Sequence, residues 1–483
     1  LRRQRQMCIR DSLSVVYGQS AVASNNAALF TVNAPINIAS TGRLSTKFGS
    51  DGTVTNYTIV NTLGAASDAV TAPASPSLQG MAKSPTTSFV LGSDIDASST
   101  ASWNGNAGFT PIGNLTTAFS GKFNGLGHTI TGLTLASSAS DYLGLLGKTT
   151  GSVANVILTG ASVTGRSYVG ALAGYGADFY NVRLLGGTVT GTSYLGGMAG
   201  YATLSTDTVN TSAAVNGQDS AASAAQYVGG LLGVSVGAIN NATITGDVVV
   251  TNTNTAWVTG VGALQIHSVG GMVGQLAPAA TMTLNNNVNT GKVTVTTATA
   301  AVASGTNALI NNVGGLIGTL GAGAAGTNAS WRVTVSNSST SGDVSVASTT
   351  APSMLSYASY VGTATGGVIG RVDYSGGTNL SFGGGLTLNN VSSSGQVSGY
   401  SAVGGVLGLS SLGNTAVGAN VFSNLSASGN ITGFGGTSGI NSSSPATMTA
   451  HAQGVGGVVG SNLGAKVAQI TGSHYDGGTI TGN

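Results

Sequence analysis

A short glycine-rich box returns nine times along this chain and limits its fold more than any other feature. Each copy is an aromatic or small residue, then Val-Gly-Gly, two apolar residues and Gly. Tyr227 to Gly233 (YVGGLLG) is the cleanest copy; Tyr142 to Gly147 is one residue short, and Tyr168 to Gly174 and Tyr194 to Gly200 follow it. Later copies are Val269 to Gly274, Val313 to Gly318, Thr365 to Gly370, Val403 to Gly408 and Val455 to Gly460. Successive closing glycines lie 27, 26, 33, 41, 44, 52, 38 and 52 residues apart. A unit this short cannot bury its own apolar face, so such periods belong to repeat architectures stabilised by neighbours. The two shortest intervals match one coil of a β-solenoid or one small repeat unit. The longer ones read as the same unit with loops inserted, or as two coils.

The coil is β in character. The chain has no Glu, 78 Gly and only 6% charged residues, against about 25% charged and about 7% Gly in ordinary domains. Long helices are hard to write this way, because each helical Gly costs about 1 kcal/mol. Val and Thr favour strands, and Asn and Gly favour tight turns. Between boxes a second pattern recurs, an Asn or Ser, a few apolar or small residues, Gly, then Val/Ile-Thr-Gly: Asn155 to Gly165 (NVILTGASVTG), Asn181 to Gly191 (NVRLLGGTVTG), Asn241 to Asp247 (NATITGD) and Asn424 to Gly433 (NLSASGNITG). Stacked coils would supply the missing hydrogen bonds at about 4.8 Å, with glycines at corners and close backbone approaches. Both alternating faces of Val228 to Gly233 carry apolar residues, so the box alone leaves the inward face open.

Three segments follow. Residues 1–12 (LRRQRQMCIRDS) hold four of the nine Arg and the only cysteine, Cys8. They lack the apolar stretch of a signal peptide, and MCIRDS resembles a translated sequencing-library adapter, so the segment reads as a non-native tail. Without it the balance is 11 basic against 12 acidic residues and no cysteine. That excludes disulfide scaffolding and argues against a nucleic-acid partner. Residues 13–88 carry no box: Leu29 to Ile38 and Val54 to Val60 alternate modestly, and 64–87, with Pro73, Pro76 and Pro85, reads as a loop or linker. Residues 89–483 carry the boxes and stop in mid-repeat, as a truncated array would. No run is apolar enough for a membrane span.

Phe89 to Leu135 (FVLGSDIDASSTASWNGNAGFTPIGNLTTAFSGKFNGLGHTITGLTL) resembles filamentous haemagglutinin-type adhesins, and the Val-Gly-Gly-Leu-Leu-Gly boxes resemble the GLUG motif of those proteins. Asn33 to Ile38 (NAPINI) and Ser45 to Gly52 (STKFGSDG) are similar to the same passenger region. The resemblance spans about residues 13–483 and loosens after about 240. It implies a right-handed parallel β-helix on the surface of a Gram-negative bacterium, exported by a two-partner or autotransporter route through an outer-membrane transporter. The implied role is adhesion or biofilm formation through a host or bacterial cell-surface receptor or glycan. The inserts near 205–226, 247–267, 342–360 and 434–452 are the expected contact surfaces, since loops on a rigid scaffold tend to carry binding residues.

Parallel β-helices also carry polysaccharide lyases and glycosidases, so chemistry has to be weighed. Glycoside hydrolysis usually needs two carboxylates across the bond. Asp94 and Asp96 are the one close pair, and two residues apart they share a strand face. They read as turn caps; the alternatives are a Ca²⁺ site or a like-charge catalytic pair. His128, beside a Gly turn, reads as a packing or hydrogen-bonding residue, and His267, His451 and His474 fit no ligand spacing. Gly383 to Gly385 is no phosphate loop, because no Gly-Lys-Ser/Thr follows. Tyr142, Tyr168, Tyr194 and Tyr227 hold one box position, which Ser268 takes in the fifth copy. They read as a stacked ladder along one edge, the alternative being a sugar-stacking platform. The expectation is a rod that is not an enzyme and needs no cofactor or metal, with a polysaccharide-active enzyme and a pure spacer as the alternatives.

Overall fold

The computed structural model describes residues 8–9, 12–22, 26–73, 75–218, 225–252, 265–297, 309–321, 332–348, 364–373, 385–400, 402–411, 420–434, 454–462 and 467–482. Each box opens one coil of a parallel β-helix, whether its interval is 26 or 52 residues long. In the coil of the cleanest box the strands are Ala225–Gly229 (sheet 1), Leu232–Ser235 (sheet 2), Ile239–Ile244 (sheet 3) and Val248–Asn252 (sheet 4). Each pairs in parallel with its counterpart one coil on. The two-coil reading of the long intervals is therefore replaced by one coil with inserts.

Alternation places the core. In sheet 4, Val163, Val189, Val215, Val248, Val293, Val344, Val397 and Ile431 stand in one register column and are all buried. Burying a Val or Ile side chain contributes roughly 1.5–3 kcal/mol, and each rung closes the next. In the box, Val228, Leu231 and Leu232 are all buried. Gly230 and Leu231 turn the corner between sheets 1 and 2, so both faces of the box end up covered. The glycines answer to crowding. A Cβ on Gly233 would sit 2.5 Å from the Gly200 carbonyl oxygen and 2.7 Å from the Leu195 nitrogen, in the backbone of the preceding coil.

Sheet 3 bends once in each coil, within a strand or between two short ones. Asn155, Asn181, Asn241, Asn286, Asn337, Asn390 and Asn424 take φ between 48° and 58°, a left-handed conformation that Asn tolerates better than most residues. In Val333–Thr340 the buried positions alternate up to Val335, skip at Asn337 and resume at Ser338. The recurring Asn of the sequence is this bend, and Thr208 at φ 52° and Gly472 at φ 60° hold the same place in two other coils.

Insertions are confined to two corners. Between sheets 4 and 1 the connection runs from one residue, Thr192, to twenty between Gly433 and Gly454. Between sheets 2 and 3 it runs from two residues after Gly176 to twelve after Asp373. The box corner keeps two or three residues and the corner between sheets 3 and 4 two to four. Of the expected contact loops, 206–211 and 214–218 are strands of sheets 3 and 4, as are 248–252 and 344–348 of sheet 4. The remainders 219–224, 253–264, 349–360 and 435–452 lie outside the described residues.

At the N-terminal end, Val54–Val60 pairs in parallel with Phe89–Leu91 and so extends sheet 3 across the boundary at residue 88. Arg43–Phe48 adds antiparallel to it, and Ser12–Tyr17 adds parallel to that strand. Cys8–Ile9 forms a short parallel ladder with Asn37–Ile38. The Ala/Ser/Pro stretch is more built than a linker: it carries 3-10 turns at Ala66–Ala69 and Gln79–Lys83, and Leu78 and Met81 join the main core.

Candidate functional site

The least ordinary surface is where sheets 1 and 2 meet in the coils without long inserts. Tyr142, Tyr168 and Tyr194 enter sheet 1 with φ of 58°, 54° and 48°. For a bulky residue this is an outlier costing of order 1–3 kcal/mol, and it is repeated three times. Ring stacking offsets it. Tyr142 and Tyr168 lie 4.6 Å apart at 3°, Tyr168 and Tyr194 4.4 Å apart at 7°; such pairs contribute about 0.5–1.5 kcal/mol beyond area burial. Tyr227 ends the column tilted by 51°. Beyond it the position is Ser268, whose hydroxyl meets that of Thr319 at 2.7 Å.

A second column, which the box pattern did not reveal, stands opposite on sheet 2. Tyr175 and Tyr201 stack 4.9 Å apart at 7° and meet the first column at 6.2–6.4 Å. The signal was available, because each follows the closing glycine of its box directly. The Lys148 ammonium lies 5.3 Å from the centre of the Tyr175 ring, and Arg166 grips Asp141 with two bonds of 2.8 and 2.6 Å. Burial pushes the Tyr142, Tyr168, Tyr175, Tyr201 and Tyr227 hydroxyls up, Tyr227 to about 12. These phenols stay neutral near pH 7 and can both donate and accept. Both faces of Tyr168 are occupied by its neighbours, so a sugar would meet ring edges and hydroxyls along most of the strip rather than a stacking face.

The sequence candidates for chemistry sit elsewhere and hold structural bonds. Asp94 accepts from the Thr129 amide at 2.9 Å and meets His128 Nδ1 at 3.1 Å. His128 is buried, with Nε2 3.0 Å from the Ile36 carbonyl. Asp96 caps the Ser98 amide at 2.9 Å, and that bond lowers its pKa. His267 is buried and burial pushes its pKa down to about 4. His474 pairs with Asp476 at 3.0 Å at the surface, and His451 and Gly383 to Gly384 lie outside the described residues. Among the described residues no three His, Cys, Asp or Glu gather to hold a metal, and no helix is long and apolar enough to cross a membrane.

No family model matches the chain. A stretch of 85 residues is 48% identical to Halomucin of Haloquadratum walsbyi; it amounts to 16% of this chain and 1% of Halomucin. Among solved structures, a candidate immunoglobulin A1 protease of Bacteroides ovatus aligns with a TM-score of 0.38 at 20% identity, over 54% of this chain and 71% of that one.

Proposed function

We propose that this chain is part of a secreted bacterial surface adhesin of the filamentous-haemagglutinin kind, a stiff β-helical rod that holds variable inserts out for attachment or biofilm formation. The carrying observation is the division of labour around the coil. Two corners and all four ladders are constant, while the corners on either side of sheets 1 and 2 take up nearly all the length variation. A scaffold built to present loops has that form. The low charge and the likeness to a stretch of the protein named Halomucin support an extracellular setting. On this reading the partners are a cell-surface receptor or glycan and, during export, an outer-membrane transporter, and the boxes are GLUG motifs.

The test is retention of residues 13–483 on a panel of bacterial and host cells and glycans, scored together with release of new chain ends. Attachment that falls when 253–264 and 349–363 are each replaced by Gly-Ser links supports the adhesin. Cleavage abolished by Asp94→Asn or Asp96→Asn would overturn it in favour of an enzyme, and neither attachment nor cleavage would leave a spacer.

A further inference from the structure

The asparagine column along the bend of sheet 3 is occupied by the chain itself at Asn155 and Asn181, and that occupancy shows what the rest of it can hold. Residues 30–38 run lengthwise across the coils as a strap. The Ile38 amide donates to the Gly92 carbonyl at 3.0 Å and the Ile36 amide to the Leu126 carbonyl at 3.1 Å. Further along, the Val32 amide donates to Asn155 Oδ1 at 2.9 Å, Asn155 Nδ2 donates to the Phe30 carbonyl at 2.8 Å, and Asn181 Nδ2 donates to the Val32 carbonyl at 3.0 Å. The strap reads the column through its main chain.

Counting bonds shows why it can. A side-chain amide has two N–H groups and two lone pairs. One N–H is spent on the preceding coil: Asn181 Nδ2 donates to Asn155 Oδ1 at 2.7 Å, Asn286 to Asn241 at 3.0 Å and Asn390 to Asn337 at 2.9 Å, while Asn241, past Thr208, donates to Asp207 at 2.9 Å and Asn337 to Asn285 at 2.9 Å. Under the strap the second donor and acceptor go to peptide groups, and Asn155 is 1% exposed. Past Asn181 the strap ends, and Asn241, Asn286, Asn337, Asn390 and Asn424 are exposed with the same left-handed backbone.

We infer that the stretch from Asn241 to Asn424 is a docking track for an extended peptide segment of a partner protein, held by main-chain bonds to the amides as the strap is held at Asn155 and Asn181. Asp207 accepts from Asn241 at the first rung; beyond it the flanking side chains are small or polar and uncharged (Asn285, Ser336 and Asn389), so the segment it fits there is uncharged and polar, and its binding at those rungs is insensitive to salt. A strand advances about 3.3 Å per residue and a coil about 4.8 Å, so three residues span two rungs. Each contact is weak and the affinity comes from several rungs engaged together.

The probe is a synthetic peptide of residues 28–38, whose main chain is known to satisfy the column, with a photoreactive benzophenone in place of the Phe30 ring. It is irradiated with the whole chain and cross-links are mapped by mass spectrometry. Cross-links are expected in Ile239–Ile244, Val333–Thr340 and Leu386–Ser393, unchanged by 0.5 M salt. They should fall at least fivefold in Asn337→Gly/Asn390→Gly, which keeps the left-handed backbone and removes the amides; an unchanged melting curve shows that this variant is folded. The proposal is overturned if labelling does not exceed that of a scrambled peptide, or if the double variant labels as the parent does. Labelling confined to Val153–Ala154 and Phe179–Leu185 would mean exchange with the built-in strap and would equally overturn it. Retention of a neutral polysaccharide, dextran, that is lost in the same variant while the peptide fails to label would replace the peptide by a glycan.

Discussion

Replacing Gly233 by Ala tests whether the box glycines are there for close approach or for backbone freedom. Gly233 has no left-handed backbone, yet its missing Cβ would fall 2.5 Å from the Gly200 oxygen and 2.7 Å from both the Leu195 nitrogen and the Tyr194 carbonyl carbon. All three are backbone atoms, so no side chain can swing aside. Overpacking a tight interior costs about 1–3 kcal/mol. Separating the strands also strains ladder bonds beside the site, Met198 N to Leu231 O at 2.9 Å and Leu232 N to Met272 O at 3.0 Å, at about 1 kcal/mol each. The expected loss is about 3–5 kcal/mol. Gly160→Ala is the contrast: Gly160 has φ 62° and nothing within 4 Å of its Cβ position, so only the left-handed penalty of roughly 1–2 kcal/mol applies. Urea unfolding gives the two losses, and hydrogen exchange locates them, with Gly233→Ala expected to open Leu232–Ser235 and Ser193–Gly196 first. If Gly160→Ala proved the more damaging, or Gly233→Ala changed stability by less than about 0.5 kcal/mol, the close-approach reasoning would be refuted.

Two further outcomes follow from single residues. Unfolded His267 takes up a proton as pH falls through about 6.5, whereas in the folded chain burial delays this to about 4. Stability therefore declines across that window and levels off below it, by of order 3 kcal/mol in all; urea midpoints from pH 7 to 4 should show a slope that His267→Gln removes. Asn155→Gly keeps the backbone at φ 55° and deletes four side-chain bonds, two to the strap and one each to Asn124 and Asn181. At about 1 kcal/mol for each strap bond, strap opening becomes roughly 30-fold more frequent, read as thermolysin cleavage near Phe30 to Ile36.

The repeat architecture could be read directly because its cause is local. Val-Gly-Gly-Leu-Leu-Gly names a corner that only glycine fits, and its nine positions mark nine coil starts. The strand at Val54–Val60 was legible from alternation for the same reason. The inward face of the box was not, because alternation assumes a straight strand and Gly230–Leu231 bend it. Leu78 and Met81 looked like linker residues among Ala, Ser and Pro, yet they fill the main core, a contact set by distant chain. Of the tyrosine strip, the first column was visible as a repeated position, whereas Tyr175 and Tyr201 fall just outside the box. The strap was the least legible part: Phe30 and Asn155 are 125 residues apart, and nothing local joins them.

The orientation of the ladders has a mechanical consequence. Strands run around the coil, so their hydrogen bonds lie along the rod, and a pull between its ends loads them one rung at a time instead of shearing a whole strand. Coils would peel in turn. A coil of 26 residues occupies about 4.8 Å of rod and pays out on the order of 90 Å of chain when it opens, and a coil of 52 residues pays out about twice that. The insert lengths that vary at two corners therefore also set how far each coil yields, and a tether of this construction would extend in graded steps under drag while the coils beyond the break stay folded.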